Sequence, residues 1–484
     1  MSTAQIILLV MDYVFLINII FAVLVIFFER RNPTATLTWL LVLLFMPILG
    51  FILYVFLGQD LRKKKLFYLK KEEGRELLPL VEKQDRFLRE DRIVFNNPRI
   101  KEYKDIIFLH LKIDKALYTQ DNSVQIFNNG DQVFAALMES IRKARYFIHI
   151  EYYIIRNDSL GKAVIELLSE KAREGVEVKF LYDGMGCMRL PRKFFAPLIR
   201  AGGETASFFP PLLPYINLRV NYRNHRKICI IDGEEGYIGG FNIGDEYRGL
   251  SNYFGFWRDT HLCIRGSAID GLELRFILDW RHAAKDDSVA SERYFPTRVK
   301  EGKTGIQIVS SGPDARWKSV KNGYLKMINK ARKSIYIHTP YFVPDDSLLE
   351  ALKLAALSGV DVRIIIPRKI DHIFIHWASL SYIGELLEAG AKPYYYDNGF
   401  LHSKMIVIDR LVSSVGTANF DIRSFQLNFE VNAFIYDEKI GQELHETFLR
   451  DLEECTEISI DCYSKRSILV RVRESFSRLL SPIL

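Results

Sequence analysis

One eight-residue pattern occurs twice in this chain. It reads His225-Arg226-Lys227-Ile228-Cys229-Ile230-Ile231-Asp232 in the first copy and His402-Ser403-Lys404-Met405-Ile406-Val407-Ile408-Asp409 in the second. Both copies have the form His-x-Lys, then four apolar residues, then Asp. An asparagine follows each histidine at the same distance, at Asn242 and Asn419. Two chance matches to the His-x-Lys-x-x-x-x-Asp form would be expected in about one chain in a thousand of this composition, so the repeat is meaningful.

The apolar residues after each lysine predict a buried β-strand. Residues i and i+2 of a strand share a face, so His225 should point the same way as Lys227, and His402 the same way as Lys404. Glycine precedes each asparagine in Gly239-Gly240-Phe241-Asn242 and Gly416-Thr417-Ala418-Asn419. A glycine without a Cβ lets the backbone come close to another group, which we expect to be a ligand.

The chain around the two motifs also repeats, at an offset of about 185 residues. Each copy has an apolar run, a helical stretch and a second apolar run that begins with glycine. The order strand, helix, strand predicts α/β layers, and so long a period indicates a duplicated domain. We expect two tandem α/β-sandwich domains related by a pseudo-twofold axis, with a site at their interface. The matching segments are Tyr146–Ile155, Leu160–Glu174 and Gly175–Leu181 in the first half, and Ser334–Val343, Asp346–Ser358 and Gly359–Ile365 in the second.

The first 60 residues differ from the rest. Ile6–Phe28 and Thr36–Leu57 are almost free of charge, and each has the roughly 20 apolar residues that a membrane-spanning helix needs. We expect a transmembrane helical hairpin over residues 1–60; a cleaved signal peptide fits poorly, and a hairpin buried in a soluble core is the other alternative. The cationic residues that follow, Arg62 to Arg75, should remain in the cytoplasm and contact anionic headgroups. This predicts a multi-pass protein of the plasma membrane with cytoplasmic catalytic domains.

The remaining segments are less distinctive. Residues 61–115 are charged and predict a helical linker or collar with little core, 116–295 the first domain, and 296–484 the second domain with a C-terminal amphipathic helix. That helix, within Ser464–Leu484, fits either an interfacial membrane helix or a helix docked on the domain. The segment Phe208–Tyr215 fits either a loop over the site or a packed loop, and Tyr394–Tyr396 fits a core strand. Five cysteines without a CxxC pair indicate neither disulfides nor zinc, and a reducing compartment.

Two histidines, two lysines and two asparagines that meet at one point suit a phosphodiester. Lys227 and Lys404 would bind phosphate oxygens as point charges, and Asn242 and Asn419 would donate to the same oxygens in the transition state. One neutral histidine would attack phosphorus, and the other would protonate the leaving alkoxide and then serve as base. No metal or cofactor is required.

The motif groups its two aspartates with these catalytic residues. Asp232 and Asp409 nevertheless lie beyond the buried strand from each histidine. We expect them to have a structural role, binding a cation or backbone amides.

These motifs resemble those of the phospholipase D superfamily, over about residues 115–484. The chain is more specifically similar to bacterial cardiolipin synthases. The similarity rests on the apolar Trp39–Gly50 pattern, on Asn224–Lys227 with Gly239–Asn242, on Trp257-Arg258-Asp259-Thr260-His261, and on Arg423-Ser424-Phe425 with Asn428-Phe429-Glu430.

This resemblance implies a reaction between two molecules of phosphatidylglycerol in the bilayer. One gives its phosphatidyl group to the enzyme and releases glycerol, and the second accepts the group to form cardiolipin. The resemblance makes His225 the nucleophile and His402 the general acid and base. It also implies that Asp259 and Glu430, which follow the two histidines by 34 and 28 residues, orient the imidazoles.

Other activities would use the same residues. A phospholipase D would hydrolyse phospholipids to phosphatidic acid with water as acceptor, and acceptor choice depends on pocket shape. A phosphatidylserine synthase would use a nucleotide-activated lipid, and the flanking motifs, which resemble those of cardiolipin synthases, argue against this activity. A nuclease needs a basic groove for nucleic acid and has little use for a membrane hairpin, so no nucleic-acid partner is expected. The net charge of +7 favours anionic partners in general. A non-enzymatic scaffold would be expected to lack one of the histidines or lysines.

Overall fold

The computed structural model describes residues 33–46, 71–210, 221–286, 292–298 and 302–481, with isolated positions before residue 60. The chain divides into two compact units. One comprises Met1–Lys63 and Pro210–Tyr222, and the other comprises Lys64–Phe209 and Arg223–Leu484.

In the smaller unit the structure describes helix α1, Pro33–Phe45. This helix contains the beginning of the predicted second span, and Trp39 makes an edge-to-face ring contact with Tyr54 at 5.3 Å. The predicted first span, Ile6–Phe28, lies outside the described residues apart from isolated positions. Among the residues that are described, no helix combines the length and the apolarity needed to cross a membrane.

The larger unit alternates strands and helices. Its helices are α2 Lys71–Arg89, α3 Lys104–Asp114, α4 Gly130–Lys143, α5 Ser159–Arg173, α6 Ala196–Arg200, α7 Ile269–Ala284, α8 Ser319–Lys330, α9 Asp346–Leu357, α10 Ile373–Glu388, α11 Ile422–Gln426, α12 Glu438–Leu452, α13 Ile460–Ser464 and α14 Ile468–Leu479. Short 3-10 helices occupy Pro98–Tyr103, Asp245–Arg248 and Glu292–Tyr294.

The strands fall into two sets that match in order. The first set is β1 Thr119–Phe127, β2 Phe147–Tyr152, β3 Glu177–Asp183, β4 Glu204–Phe208, β5 Arg223–Asn224, β6 Lys227–Ile231, β7 Glu235–Gly239, β8 Trp257–Arg258 and β9 His261–Arg265. The second set is β10 Thr304–Ser311, β11 Ser334–His338, β12 Phe342–Val343, β13 Asp361–Pro367, β14 Lys392–Tyr396, β15 Phe400–Leu401, β16 Met405–Ile408, β17 Val412–Gly416, β18 Phe420–Asp421, β19 Asn428–Tyr436 and β20 Cys455–Glu457.

One continuous sheet runs through both halves. The first half contributes strands in the order β4-β3-β2-β6-β7-β9-β1, and the second in the order β14-β13-β11-β16-β17-β19-β10 with β20 at the edge. Each of these strands except β20 therefore has a counterpart at the same place in the other half. The halves join where β1 and β10 pair antiparallel. The predicted duplication of an α/β domain is confirmed by this mirrored strand order.

Helices cover both faces of each half-sheet. In β2, Ile148 and Ile150 face the cluster that includes α4 and α5, whereas the ring of His149 stacks on Phe276 of α7 at 4.5 Å. In β11 the alternation is the same, and Tyr336 stacks on His445 of α12 at 4.5 Å. The period of two along each central strand thus produces a three-layer arrangement of helix, sheet and helix.

The same local signals begin and end the matching helices. The carboxylate of Asp158 caps α5 by accepting from the amide of Gly161 at 3.0 Å, and Asp345 caps α9 by accepting from Leu348 at 3.2 Å. Both helices are followed by a glycine with positive φ, Gly175 at 91° and Gly359 at 88°. An aspartate N-cap and a left-handed glycine after the last turn are the residues that helix termini favour.

The segment 61–115 departs from its prediction as a linker with little core. Its described residues, 71–115, are largely helical, but Ile106, Ile107 and Leu111 of α3 are fully buried in the second-half core. The side chain of Gln307 donates to the carbonyl of Ile107 at 3.0 Å. The charged residues of α3 conceal this face in the composition, because a surface helix needs only one apolar stripe to pack.

Two further predictions concern the end of the chain. Tyr394 and Tyr396 are buried in β14, as expected for a core strand. The C-terminal amphipathic helix corresponds to α14, which packs against α10. The Phe208–Tyr215 loop is described only at its start, where Phe208 and Phe209 are buried; residues 211–220 lie outside the described part of the chain.

Candidate active site

Two short parallel strand pairs hold each predicted histidine against the other half of the protein. Strand β5 pairs with the start of β19, and the backbone amide of His225 donates to the carbonyl of Phe429 at 3.0 Å. Strand β15 pairs with β8, and the amide of His402 donates to the carbonyl of Arg258 at 2.7 Å. Each histidine is thereby anchored to the residue that precedes a carboxylate of the opposite half.

The two carboxylates, Glu430 and Asp259, are shared crosswise. The Nδ1 atom of His225 lies 3.0 Å from both carboxylate oxygens of Glu430, and Nδ1 of His402 lies 2.7 Å from Oδ2 of Asp259. Both carboxylates are fully buried. An ionised carboxylate can only accept, so each Nδ1 carries the proton and each Nε2 keeps its lone pair. The family resemblance implies that these carboxylates orient the imidazoles but does not indicate this crossing.

Each carboxylate is supported differently. Glu430 accepts from the hydroxyl of Thr417 at 2.5 Å and from the amide of Asn428 at 3.0 Å. Gly240 takes the place of Thr417 in the first half, and a Cβ there would lie 2.0 Å from Oδ1 of Asp259. The expectation that this glycine lets a ligand approach is therefore corrected: the group that approaches it is the carboxylate.

The predicted lysines lie beside the histidines in the buried interior. Lys227 and Lys404 are 0% and 1% exposed. The ammonium of Lys227 donates to the carbonyl of His225 at 2.6 Å, and the ammonium of Lys404 donates to the carbonyl of His402. Burial lowers the pKa of Lys227 to about 7 and that of Lys404 to about 8, opposed by the nearby carboxylates. Two partly desolvated cations at this point favour an anionic ligand.

Burial also makes both imidazoles neutral. It lowers the pKa of His225 to about 4, against the opposing charge of Glu430. It lowers the pKa of His402 to about 3, and the charge of Lys404 adds to that decrease. A neutral imidazole with a free lone pair is the form that can attack phosphorus.

The predicted asparagines lie within the same buried region. Asn242 and Asn419 are 3% and 4% exposed. The amide of Ile154 donates to Oδ1 of Asn242 at 3.3 Å. Oδ1 of Asn419 has no hydrogen-bond partner among the described residues. A buried carbonyl oxygen that lacks a partner is costly unless a ligand supplies a donor such as a hydroxyl.

The motif aspartates are not brought to the imidazoles. Asp232 accepts from the backbone amides of residues 145–147, and Asp409 accepts from those of residues 332–334. Strand β6 separates Asp232 from Lys227 by about 16 Å at roughly 3.3 Å per residue. Their inclusion among the catalytic residues is therefore corrected, and both bind the backbone amides that begin a central strand.

Two aromatic residues at the site have no counterpart in the predicted set. The rings of Tyr153 and His225 are 4.8 Å apart, and the ammonium of Lys227 lies 5.1 Å from the Tyr153 ring. The rings of Trp257 and His402 are 5.2 Å apart. Tyr153 directly follows strand β2, a position that could have drawn attention to it, since site residues often follow strand ends.

Two arginines add positive charge on the His225 side. Arg223 lies in β5 and Arg423 in α11. Burial raises the pKa of Tyr153, and the guanidinium groups of Arg223 and Arg423 oppose the rise because they lie near its hydroxyl. Burial, followed by the charge of Arg223, lowers the pKa of Arg423. Positive charge is thus concentrated beside one imidazole.

Known proteins match the chain along almost its whole length. Residues 137–252 and 324–452 match the family described as cardiolipin synthase, PLD-like domain, and residues 16–59 match the phospholipase D-nuclease N-terminal family. A cardiolipin synthase of Listeria innocua is 50% identical over 470 residues, which cover 97% of this chain and 98% of that protein. The major cardiolipin synthase of Bacillus subtilis is 50% identical over 471 residues, with the same coverage.

A solved structure shares the fold. The crystal structure of phosphatidylserine synthase from Haemophilus influenzae aligns with a TM-score of 0.60 at 14% identity, over 78% of this chain and all of that one. At this identity the similarity concerns the fold alone. The full-length identity to named enzymes and the two matched domains decide the family, and this chain belongs to the bacterial cardiolipin synthases of the phospholipase D superfamily.

Proposed function

We propose that this enzyme transfers a phosphatidyl group from one phosphatidylglycerol to another, giving cardiolipin and glycerol through a phosphohistidine. The observation that carries the proposal is the crossed pair of histidines. Each of His225 and His402 has a buried carboxylate on Nδ1 and a buried lysine two residues away. Full-length identity to cardiolipin synthases supports the choice of substrate.

In the first step, Nε2 of His225 attacks phosphorus. A P–N bond forms as the P–O bond to the headgroup glycerol breaks, and the leaving oxygen takes a proton from His402. The family resemblance assigns the nucleophile to the first half. The positive charge that develops on the imidazole is stabilised by Glu430 at 3.0 Å.

His402 must be protonated for this step, although burial holds its pKa near 3. The anionic phosphodiester supplies the missing stabilisation, because a negative charge beside an imidazole raises its pKa. Substrate binding and proton uptake are therefore coupled at His402. Asp259, 2.7 Å from the opposite ring nitrogen, stabilises the imidazolium.

In the second step, a hydroxyl of another phosphatidylglycerol headgroup gives its proton to His402. Its oxygen forms the new P–O bond as the P–N bond breaks, which returns His225 to its neutral state. Lys227 and Lys404 neutralise the phosphoryl oxygens, and Asn242 and Asn419 donate to them as charge accumulates in the transition state.

A phospholipase D would follow the same steps with water in place of the second lipid. The catalytic residues are the same for both acceptors, so the site geometry does not separate them. Identity of 50% over nearly the whole chain to enzymes named cardiolipin synthases favours the lipid alcohol.

Membrane attachment through the N-terminus is part of the proposal. The apolar runs within residues 1–60 support a transmembrane hairpin, and residues 16–59 match an N-terminal family found with phospholipase D domains. The cations after the second run favour a cytoplasmic position for the catalytic domains. Protease added to sealed right-side-out vesicles should leave residues 64–484 intact, and digestion of that region would contradict the orientation.

The test of activity uses purified enzyme in detergent, phosphatidylglycerol as sole lipid, and a chelator. We expect cardiolipin and free glycerol to appear in equal amounts, and both to vanish in His225→Ala and His402→Ala. Phosphatidic acid without cardiolipin would show that water is the acceptor. A requirement for a nucleotide-activated lipid would overturn the two-phosphatidylglycerol reaction.

A further inference from the structure

The C-terminal helix α14 is mounted with its polar side inward. Glu474 and Ser477 are buried against the domain, at 3% and 1% exposure. The apolar residues on the other side are exposed, with Ile468 at 73%, Phe476 at 55% and Leu479 at 79%. A helix that packs on a soluble domain normally does the reverse, so the outward apolar stripe calls for a partner.

The polar side of the helix makes specific ion pairs and a ring contact. Glu474 pairs with Arg466 at 3.0 Å. On the same side Arg478 reaches Glu385 of α10 at 2.5 Å and lies 4.5 Å from the ring of Tyr382. Rotating the helix to bury its apolar stripe would break these contacts.

The exposed stripe continues onto the start of α10. The rings of Phe374 and Phe476 are 6.5 Å apart. Phe374 and its neighbour Ile373 are 49% and 61% exposed. Together with Ile468, Val472 and Leu479 they form one apolar surface, which we name the α10–α14 face; monomeric soluble proteins rarely expose so much contiguous apolar side chain.

The start of α10 also lies near the active site. Just before α10, the hydroxyl of Tyr341 donates to Asp371, and the charge of Asp371 acts on the site lysine Lys404. The hydroxyl of Tyr253 donates to the carbonyl of Ile370 at 2.8 Å, and Tyr253 is itself 60% exposed. Exposed apolar and aromatic side chains thus extend from α14 toward the catalytic lysine.

The charge around the face indicates what covers it. The segment 464–481 contains five basic residues, Lys465, Arg466, Arg471, Arg473 and Arg478, against the single acidic residue Glu474. An apolar stripe bordered by arginines matches helices that lie in the interface of an anionic bilayer, with the apolar side below the headgroups.

We propose that the α10–α14 face inserts into the surface of the anionic bilayer that holds the substrate. The insertion is a second membrane contact, separate from residues 1–60, and it turns the site entrance toward the lipid headgroups. This inference depends on the proposed function in one respect: the proposed substrate is a lipid, which must reach the site from the bilayer. Lipid contact at this face can be measured without catalysis, so the two proposals fail separately.

The test places an environment-sensitive fluorophore on the face in the full-length protein. Val472→Cys and Phe476→Cys are labelled with nitrobenzoxadiazole in a Cys462→Ser background, because Cys462 is the exposed native cysteine among the described residues. The matched control is Ser358→Cys. Ser358 is exposed and precedes the start of β13, whereas α10 follows the other end of that strand. The Cys462→Ser background protein, carried through the same labelling reaction, corrects for reaction at partly buried Cys455.

The labelled proteins are reconstituted into phosphatidylserine–phosphatidylcholine vesicles, whose lipids are anionic but not the proposed substrate. Spin labels on the acyl chains should quench both face probes by about twofold or more, since an interfacial helix lies roughly 5–10 Å into the boundary, and should leave the Ser358→Cys probe unchanged. Quenching should weaken when phosphatidylcholine replaces phosphatidylserine.

Two results would overturn the proposal. Face probes that emit as in water, like the control, would show that nothing covers the face. Face probes that emit as in an apolar environment but are not quenched by the lipid label would show that protein covers it, either another segment of this chain or a second copy.

Discussion

Replacing Glu430 by glutamine tests whether the carboxylate of one half serves the histidine of the other. The substitution keeps the size of the side chain and removes its charge. Glu430 is fully buried, and both of its oxygens lie 3.0 Å from Nδ1 of His225. When His225 becomes positive in the phosphohistidine step, only the carboxylate form attracts it. The amide can also donate to Nδ1, which would move the ring proton to Nε2 and block attack.

The size of the effect follows from the charge separation. A carboxylate and an imidazolium about 4 Å apart attract by about 4 kcal/mol at an effective dielectric constant of about 20. Loss of that attraction in the transition state lowers kcat by about a thousandfold. KM for phosphatidylglycerol should change little, because the ring is neutral before the reaction, its pKa being held near 4.

The assay is cardiolipin formation in mixed micelles at several phosphatidylglycerol concentrations, with thermal unfolding measured in parallel. The matched control is Asp232→Asn, which removes a motif carboxylate that accepts only backbone amides in the described structure. Asparagine tolerates the positive φ of 53° at this position. The control should unfold at a lower temperature but retain kcat. A loss in Glu430→Gln of less than about tenfold, which is about 1.4 kcal/mol, would refute the crossed assignment.

Three further predictions concern the same site. Thr417→Val removes the hydroxyl that donates to Glu430 at 2.5 Å and should lower kcat by about tenfold, the worth of a hydrogen bond to a charged group, together with a lower melting temperature, because the same hydroxyl accepts from the buried amide of Val431 at 3.0 Å; an unchanged kcat would contradict it. Because burial lowers the pKa of Lys227 to about 7, kcat/KM should fall as pH rises through that value, and Lys227→Arg should move the fall to higher pH; a fall at the same pH in the variant would exclude Lys227 as its cause. The pKa values of His225 and His402 in the folded protein are about 4 and about 3, below the ordinary value of 6.5. Between these folded values and pH 6.5, the unfolded chain therefore binds more protons than the folded chain. The free energy of unfolding should therefore reach its full value above about pH 6.5 and decrease below that pH by up to about 1.4 kcal/mol per pH unit for each histidine. In His225→Ala and His402→Ala the free energy of unfolding should decrease less steeply with falling pH. A slope equal to that of the unmodified protein would contradict the low pKa values.

The repeated motif predicted the duplication and a lysine beside each histidine, but it gave no sign of Tyr153 or Trp257, and it grouped with the histidines two aspartates that bind backbone amides elsewhere. Strand periodicity predicts that His225 and Lys227 share a face, and in the structure the ammonium of Lys227 lies beside the His225 carbonyl. The sequence could not predict which carboxylate pairs with which imidazole. Which carboxylate reaches which ring depends on two-residue strands such as β5, too short for any periodicity to reveal.

The packing of two helices, α3 and α14, could not be predicted from the sequence for a different reason. The buried stripe of α3 is diluted by Lys104, Asp105 and Lys112, so composition indicates a linker where packing produces core. The outward apolar stripe of α14 has the same spacing as an inward one, because a helical period does not state which side faces the domain. In both cases tertiary contacts decide what the local pattern leaves open.

The crosswise sharing of carboxylates has a consequence during synthesis of the chain. His225 emerges from the ribosome about two hundred residues before Glu430. Among the described carboxylates, Glu430 alone is within hydrogen-bond distance of the His225 ring. Until the last strands have been translated and paired, the nucleophile has neither its tautomer fixed nor its positive form stabilised. A nascent or truncated chain therefore lacks a competent nucleophile, and phosphatidyl transfer begins only when both halves are complete.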